Sequence, residues 1–348
     1  MATILRQTSG SPLIGSPITY AVQAGTYQSP VFHRVKLQVV AGLQGGDYVT
    51  MEMSSLASEG EILQFDISSA LRAVADGYTY SPDTQQGQEY IEHPYLRYYL
   101  VAWDEYIQNS VSQESAKHYY PNNAPASTFG ALMGAYSDME RLVAGESKSA
   151  LRFTRKPQTA PEIVVAGEDF LRPEEMQADS LSIVRGPRTY IYGVAEGAQT
   201  LGGAAVYGLP AGTKDYYQMR FINGLGVTES LCVRSLRKSE VGYNTQQYVI
   251  ARSETFGTFS RGTVRKQNDY ETWTLCSGPL DEAWTQWYAH EFLMARYVWI
   301  KVSGRWVPCH ILPGDKVEVA DRAGASVMEV QFSVRMDVRG SLMSALMV

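Results

Sequence analysis

Residues 297–308 read YVWIKVSGRWVP: two runs of strand-forming residues meeting at Ser303-Gly304, the small-residue tip of a β-hairpin. The same signal recurs on both sides of this hairpin. From residue 181 onward LSIVRG, RTYIYGVA, DYYQMRFIN, ESLCVRSL, QQYVIARS, NDYETWTLCSG, DKVEVA and SVMEVQFSVRMDV are short strand-like runs separated by turn residues. That spacing predicts β-sandwich or barrel domains. In the last run Met328, Val330, Phe332, Val334, Met336 and Val338 alternate with polar residues, the period of a half-buried strand. One helix interrupts this half at residues 280–296, where Leu280, Trp284, Trp287, Tyr288 and Glu291 share a stripe and Asp281 and Glu282 sit in the first turn.

Alternation also governs the first hundred residues. In VFHRVKLQVV, Val31, His33, Val35, Leu37 and Val39 point one way. DYVTMEM and EILQFDI continue the sheet, and FDISSALRAVADGY switches to helical period, with Ser68 as cap and Gly77 as terminator. Residues 78–94 form a long polar loop, a candidate contact loop. PYLRYYLVAWDEY is apolar on both faces, as expected of a central strand. FGALMGAYSDMERLVAG spaces Phe129, Leu132, Met133, Tyr136, Met139 and Val143 as one amphipathic helix, followed by Pro-punctuated crossing chain.

The expected fold class is therefore mainly β: two or more antiparallel β-sandwich or barrel domains with a few short helices. The expected division is an N-terminal sandwich over 1–120, a helix plus irregular crossing over 121–180, and β-rich C-terminal domain(s) over 181–348. A length of 348 residues suits two or three domains.

The net charge of −6 comes without any basic block, so no nucleic-acid contact is expected. The opening MATILRQTSGSPLIGSP lacks the apolar core of a secretory signal, and no apolar run is long enough to span a membrane; the chain reads as made in the cytoplasm. Cys232, Cys276 and Cys309 are far apart and in no CxxC spacing, so they read as packed thiols. The histidines show neither i+2 nor i+4 pairing, so no metal and no cofactor is expected. Adjacent acids such as Asp104-Glu105 face opposite sides of a strand. In FINGLGVTES, Gly224 and Gly226 lack the third glycine and helix of a dinucleotide site, and read instead as a tight turn in which Asn223 and the glycines take positive φ.

Without a catalytic constellation, no enzyme activity is expected. The chain ends in RGSLMSALMV, whose Leu342, Met343, Leu346, Met347 and Val348 would be costly to leave in water. With 23 Tyr in the chain, clusters such as YTY offer stiff amphipathic contact area; Tyr78, Tyr80 and Tyr90 in the 78–94 loop join the tail as candidate interface residues.

The order SPLIGSPITY, FHRVKLQV, FDISSAL, YYLVAWDEY, KPQTAPEI and RFINGLGVTES resembles virion or tail-associated proteins of phages and prophages of gut Bacteroidetes. The stretch YETWTLCSGPLDEAWTQWYAHEFLMARYVWIKVSGRWVPCHILPGDKVEVA is similar to the closing sheet-helix-sheet of tail-tip and baseplate hub proteins. The resemblance implies a non-enzymatic, β-rich building block present in several copies, located in the virion tail, with itself and other tail proteins as partners. Two other readings stand beside it. One is a carbohydrate- or receptor-binding module using Trp103, Trp284 or Trp306. The other is a hydrolase assembled from His290, His310 and nearby acids.

Overall fold

The computed structural model describes residues 1–7, 12–120, 129–144, 150–177, 183–251, 259–312 and 328–336. Strand makes up 54% and helix 9%, so the chain is mainly β.

The N-terminal region contains β1 (Thr3–Gln7), β2 (Thr19–Gln23), β3 (Val31–Leu43), β4 (Val49–Leu56), β5 (Ile62–Asp66), α1 (Ser68–Ala75), β6 (Tyr90–Glu92), β7 (Tyr95–Gln108), β8 (Val111–Glu114), β9 (His118–Tyr119) and β10 (Phe129–Leu132). A three-stranded sheet, β1-β2-β5, packs on a six-stranded sheet ordered β10-β7-β3-β4, with β8 and β9 also on β7. The alternation places Val35, Leu37 and Val39 of β3 in the shared core with Tyr20, Val22, Leu100 and α1's Leu71. The α1 helix starts where expected, but Ser68 does not cap it. The Asp66 carboxylate instead accepts from the Ser68 and Ile18 N–H groups, both at 3.0 Å.

Residues 129–145 do not form one helix. Phe129–Leu132 is a fully buried strand on β7, and only α2 (Asp138–Ala144) is helical, with Met139 and Leu142 exposed. Gly130 decides this: a Cβ there would lie 2.4 Å from the Ile183 Cβ, so the segment is held by close contact with other chain and not by its own helical stripe. The sandwich thus takes an edge strand from beyond residue 120.

The expected irregular crossing carries strands too: β11 (Ala150–Arg152), β12 (Glu162–Val165), β13 (Asp169–Pro173) and β14 (Glu175–Gln177). With β15 (Arg188–Gly193), β16 (Gly197–Leu201) and β17 (Ala204–Leu209) they build three small sheets, β11-β14, β12-β17-β16 and β13-β15-β6. Their own small core is Val164, Phe170, Val194 and Val206.

The C-terminal unit is a closed barrel of β18 (Tyr216–Ile222), β19 (Thr228–Ala251), β20 (Phe259–Leu280), β21 (Val298–Val302), β22 (Arg305–Leu312) and β23 (Met328–Met336), closed in the order β18-β19-β20-β23-β22-β21. The hairpin tip falls at Ser303 and Gly304, with φ of 50° and 78°. Asp281 caps α3 (Glu282–Trp287) by accepting from the Trp284 N–H at 2.9 Å, and a π-helical turn over Tyr288–Phe292 follows. Trp287, Tyr288 and Phe292 fill the barrel core beside Phe221, Leu275 and Phe332. ESLCVRSL and the described part of QQYVIARS, expected as two strands, are one continuous β19 that runs to Ala251. DKVEVA lies outside the described residues.

Candidate functional site

Sandwich and barrel meet along a seam built on glycine. Gly226, at φ 81°, lies so close to the sandwich that a Cβ would come 2.7 Å from the Met133 carbonyl carbon; at Gly134, φ 96°, one would come 2.3 Å from the Leu225 carbonyl carbon. The tight-turn reading of FINGLG holds, with one change: of Asn223, Gly224 and Gly226, Gly226 alone takes positive φ. Asn223 works through its side chain. Its Oδ1 accepts from the Leu225 and Val227 N–H groups at 3.0 and 3.1 Å, and its Nδ2 donates to the Phe153 carbonyl and to Glu229 Oε1 at 2.8 and 2.7 Å.

Above this turn opens a cleft of about 590 Å³ between residues 134–137 of the sandwich side and residues 290–297 of the barrel side. Arg155 spans its wall. Nε and Nη2 donate to the two Glu140 oxygens at 2.8 Å, Nη1 to Glu291 Oε2 at 2.8 Å, and Nη2 also to the Ala135 carbonyl at 2.8 Å. The Gly224 N–H donates to the other Glu291 oxygen. Arg155 holds the Glu140 carboxyl below the usual carboxylate range despite partial burial. Tyr80, Tyr136 and Tyr297 line the rest of the cleft as partly exposed rings, with His290 and Arg296 exposed at its mouth.

Beneath the cleft lies a buried layer of ionisable groups. Lys156, 4% exposed, donates to Glu162 Oε2 at 2.6 Å and sits over the Trp287 ring. Glu229 is fully buried, and burial raises its carboxyl to about 7 against the opposing pull of Lys156. One ammonium already paired with Glu162 compensates Glu229 only in part, so the layer shifts it toward its protonated form. His93 is also buried. Its Nε2 accepts from the Thr228 N–H at 3.3 Å and lies 2.9 Å from Thr189 Oγ1, and burial drives the imidazole down to about 3. A second staple holds the seam: Arg220, 1% exposed, donates to Asp169 Oδ2 at 2.7 Å and to the Pro82 carbonyl, with its guanidinium over the Trp306 ring.

The 78–94 loop is therefore fastened to the barrel. Tyr80 packs edge-to-face with Tyr78 and at a tilt against Tyr297, with ring centroids 4.8 and 5.1 Å apart, and Tyr90 packs on Tyr190 beneath the Arg188 guanidinium, so these candidate interface rings are largely engaged within the chain. Leu342, Met343, Leu346, Met347 and Val348 lie outside the described residues. Trp103 and Trp284 are 2% and 7% exposed, and Trp306 is flanked by Arg220 and Lys301, so these three rings form no open stacking platform. His290 lines the cleft, whereas His310 is exposed on β22. Burial pushes the Cys232 thiol up to about 12 and raises that of Cys276, which keeps both protonated and poorly nucleophilic. Among the described residues no group of three or more His, Cys, Asp or Glu side chains is placed to hold a metal ion. No described helix is long and apolar enough to cross a membrane.

Sequence reasoning missed the buried charge at both ends of the molecule. In the sandwich, Asp104 is fully buried and accepts from His33 Nε2 and Tyr27 Oη, both at 2.8 Å, and from the Gly25 N–H at 3.1 Å, with the Met1 amine 3.3 Å away. The adjacent-acid reading holds here, since Glu105 points to the other face and pairs with Arg34 and Lys36.

Two surfaces are left without described partners. At one end of the sandwich Val31, Phe32, Leu56 and Val111 are all more than half exposed, and Phe32, 74% exposed, sits at φ 50° where β3 slips its register on β7. At the barrel, β18 stops pairing with β19 at Arg234, and β23 stops pairing with β20 at Thr272. From there to Ala251↔Phe259 the two strands pair only with each other among the described residues, a two-stranded ribbon projecting from the barrel. No family model matches the chain, and no curated protein or solved structure does.

Proposed function

We propose that this chain is a structural subunit of a phage tail or baseplate, or of a related contractile injection machine, working by subunit-subunit assembly and making or breaking no bond. In this reading it is made in the bacterial cytoplasm and resides in the virion, beside copies of itself and other tail proteins. The observation that carries the reading is the projecting ribbon. An isolated two-stranded ribbon is marginal in water, and each of its outer edges offers a row of backbone N–H and C=O groups that pair readily with another strand. The exposed apolar end of the sandwich adds a second sticky surface.

Replacing residues 240–272 with Asn-Gly closes the hairpin directly after the Ser239↔Trp273 pair and leaves the barrel's other ladders almost whole. The full chain should run as an oligomer in light scattering at micromolar concentration, and the shortened chain as a folded monomer. A full chain that stays monomeric, or a shortened one that assembles equally well, overturns the reading.

A further inference from the structure

We propose that the cleft between sandwich and barrel binds a neutral oligosaccharide. Its volume of about 590 Å³ lies in the range of small-molecule sites, and it sits between two structural units, where such sites concentrate. Three tyrosine rings, Tyr80, Tyr136 and Tyr297, line it with partly exposed surface, and a pyranose presents to such a ring a flat face of C–H groups.

Charge decides between a neutral ligand and an ionic one. At the wall one guanidinium, Arg155, meets two carboxylates, Glu140 and Glu291, and donates most of its N–H groups to the chain itself, while the Arg296 guanidinium at the mouth lies over the Tyr297 ring. An anion would find no uncompensated positive field at the cleft wall, and a cation no free carboxylate. Sugar hydroxyls are both donors and acceptors, which suits a wall of fixed, already paired charges. The Glu291 oxygens are held by Arg155 and the Gly224 N–H yet keep lone pairs for a hydroxyl, while His290 and Arg296 at the mouth supply polar contacts. Because the carboxylate is immobilised before the ligand arrives, little ordering is left to offset binding.

The test titrates the full chain with maltotriose, cellotriose and chitotriose, with 3′-sialyllactose as the anionic comparison. It is read by ligand-observed saturation-transfer NMR and by intrinsic fluorescence. At least one neutral trisaccharide should bind with a Kd below about 10 mM, and Tyr297→Ala should weaken it about tenfold. Arg296→Ala and His290→Ala alter exposed side chains that leave the core intact, and each should weaken binding severalfold even if Tyr297→Ala fails to fold. The ribbon-shortened chain should bind as the full chain does, which separates this proposal from the assembly reading. Absence of binding by all three neutral sugars, binding of sialyllactose alone, or affinity unchanged in Arg296→Ala and His290→Ala overturns it.

Discussion

The sandwich interior and the seam each bury a carboxyl completely, and the two groups favour opposite charge states. Asp104 collects donors from His33, Tyr27 and the Gly25 backbone, with the Met1 amine close by, and these hold its carboxyl below the ordinary value although burial alone would raise it. Glu229 has Asn223 as its principal donor, must share the field of Lys156 with Glu162 and feels the like charge of Glu291, so burial wins and its carboxyl rises to about 7. Both carboxyls are closed to solvent, but Glu229 is packed more deeply by the surrounding chain and has fewer donors, and depth and donor number together decide whether a buried acid works as an ion or as a neutral hydrogen-bonding group.

The strongest way to break the comparison is to remove the ion. Asp104→Ala leaves the Tyr27 hydroxyl, the Gly25 N–H and the His33 ring facing an empty buried site, and should cost about 3–5 kcal/mol in urea unfolding. The wild-type contribution from Asp104 has the sign of a depressed acid: it is present above the unfolded-state pKa and is lost as pH falls through the lower folded value.

Glu229 has the reverse sign. Its folded pKa of about 7 lies above the unfolded value of 4.5, so the folded chain binds the extra proton between them and stability declines as pH rises through that window. Glu229→Gln keeps an acceptor for Asn223 and abolishes this decline. At pH 8 the variant should be more stable than wild type by on the order of 2–3 kcal/mol, with little difference at pH 4. A wild-type curve flat across the window would contradict the assignment.

His93 sharpens the same test. Its folded pKa of about 3 lies below the unfolded 6.5, so the neutral ring contributes stability above 6.5 that is lost as pH falls toward 3. In the Glu229→Gln background thermal unfolding should show stability rising with pH through this range, and His93→Gln should reduce that slope.

The smallest effect is expected at Phe32, where an exposed ring sits on a backbone conformation that favours glycine. Phe32→Gly should raise the stability of the isolated chain by about 0.5–1 kcal/mol and, in the assembly reading, weaken association. Differential scanning calorimetry and light scattering on the same sample check both halves.

Local order was legible in the sequence; long-range closure was not. Period-2 alternation located β3 and β23, a run apolar on both faces located β7, the Ser303-Gly304 pair located a turn, and Asp281 marked a helix start, because each rests on residues a few positions apart. The helix expected over 129–145 failed because Phe129, Leu132 and Met133 fit a helical stripe and a buried strand equally well, and packing against Ile183 and β7 chose the strand. The cleft was illegible for a stronger reason. Arg155 reaches Glu140 and Glu291, 15 and 136 positions away, and nothing within a local window marks such a partnership. The length of residues 78–94 marks them in the sequence, but the strand β6 within them and the fastening of β6 and Pro82 to distant strands depend on β15 and Arg220.

The ribbon leaves the barrel at a defined irregularity: Ser235 pairs with Leu275, but the next pair is Lys238 with Thr274, two extra residues on one strand at the root. A bulge bends and twists the strand that holds it. The 13 residues from Ser239 to Ala251 then span roughly 40–45 Å at strand rise, about the width of a domain of the barrel's size. At that length a change of about ten degrees at the root swings the far end by about 8 Å, more than the spacing between neighbouring strands in a sheet. The bulge therefore acts as a gunsight: adding or deleting a residue there re-aims the far end of the paired strands while the barrel stays as it was.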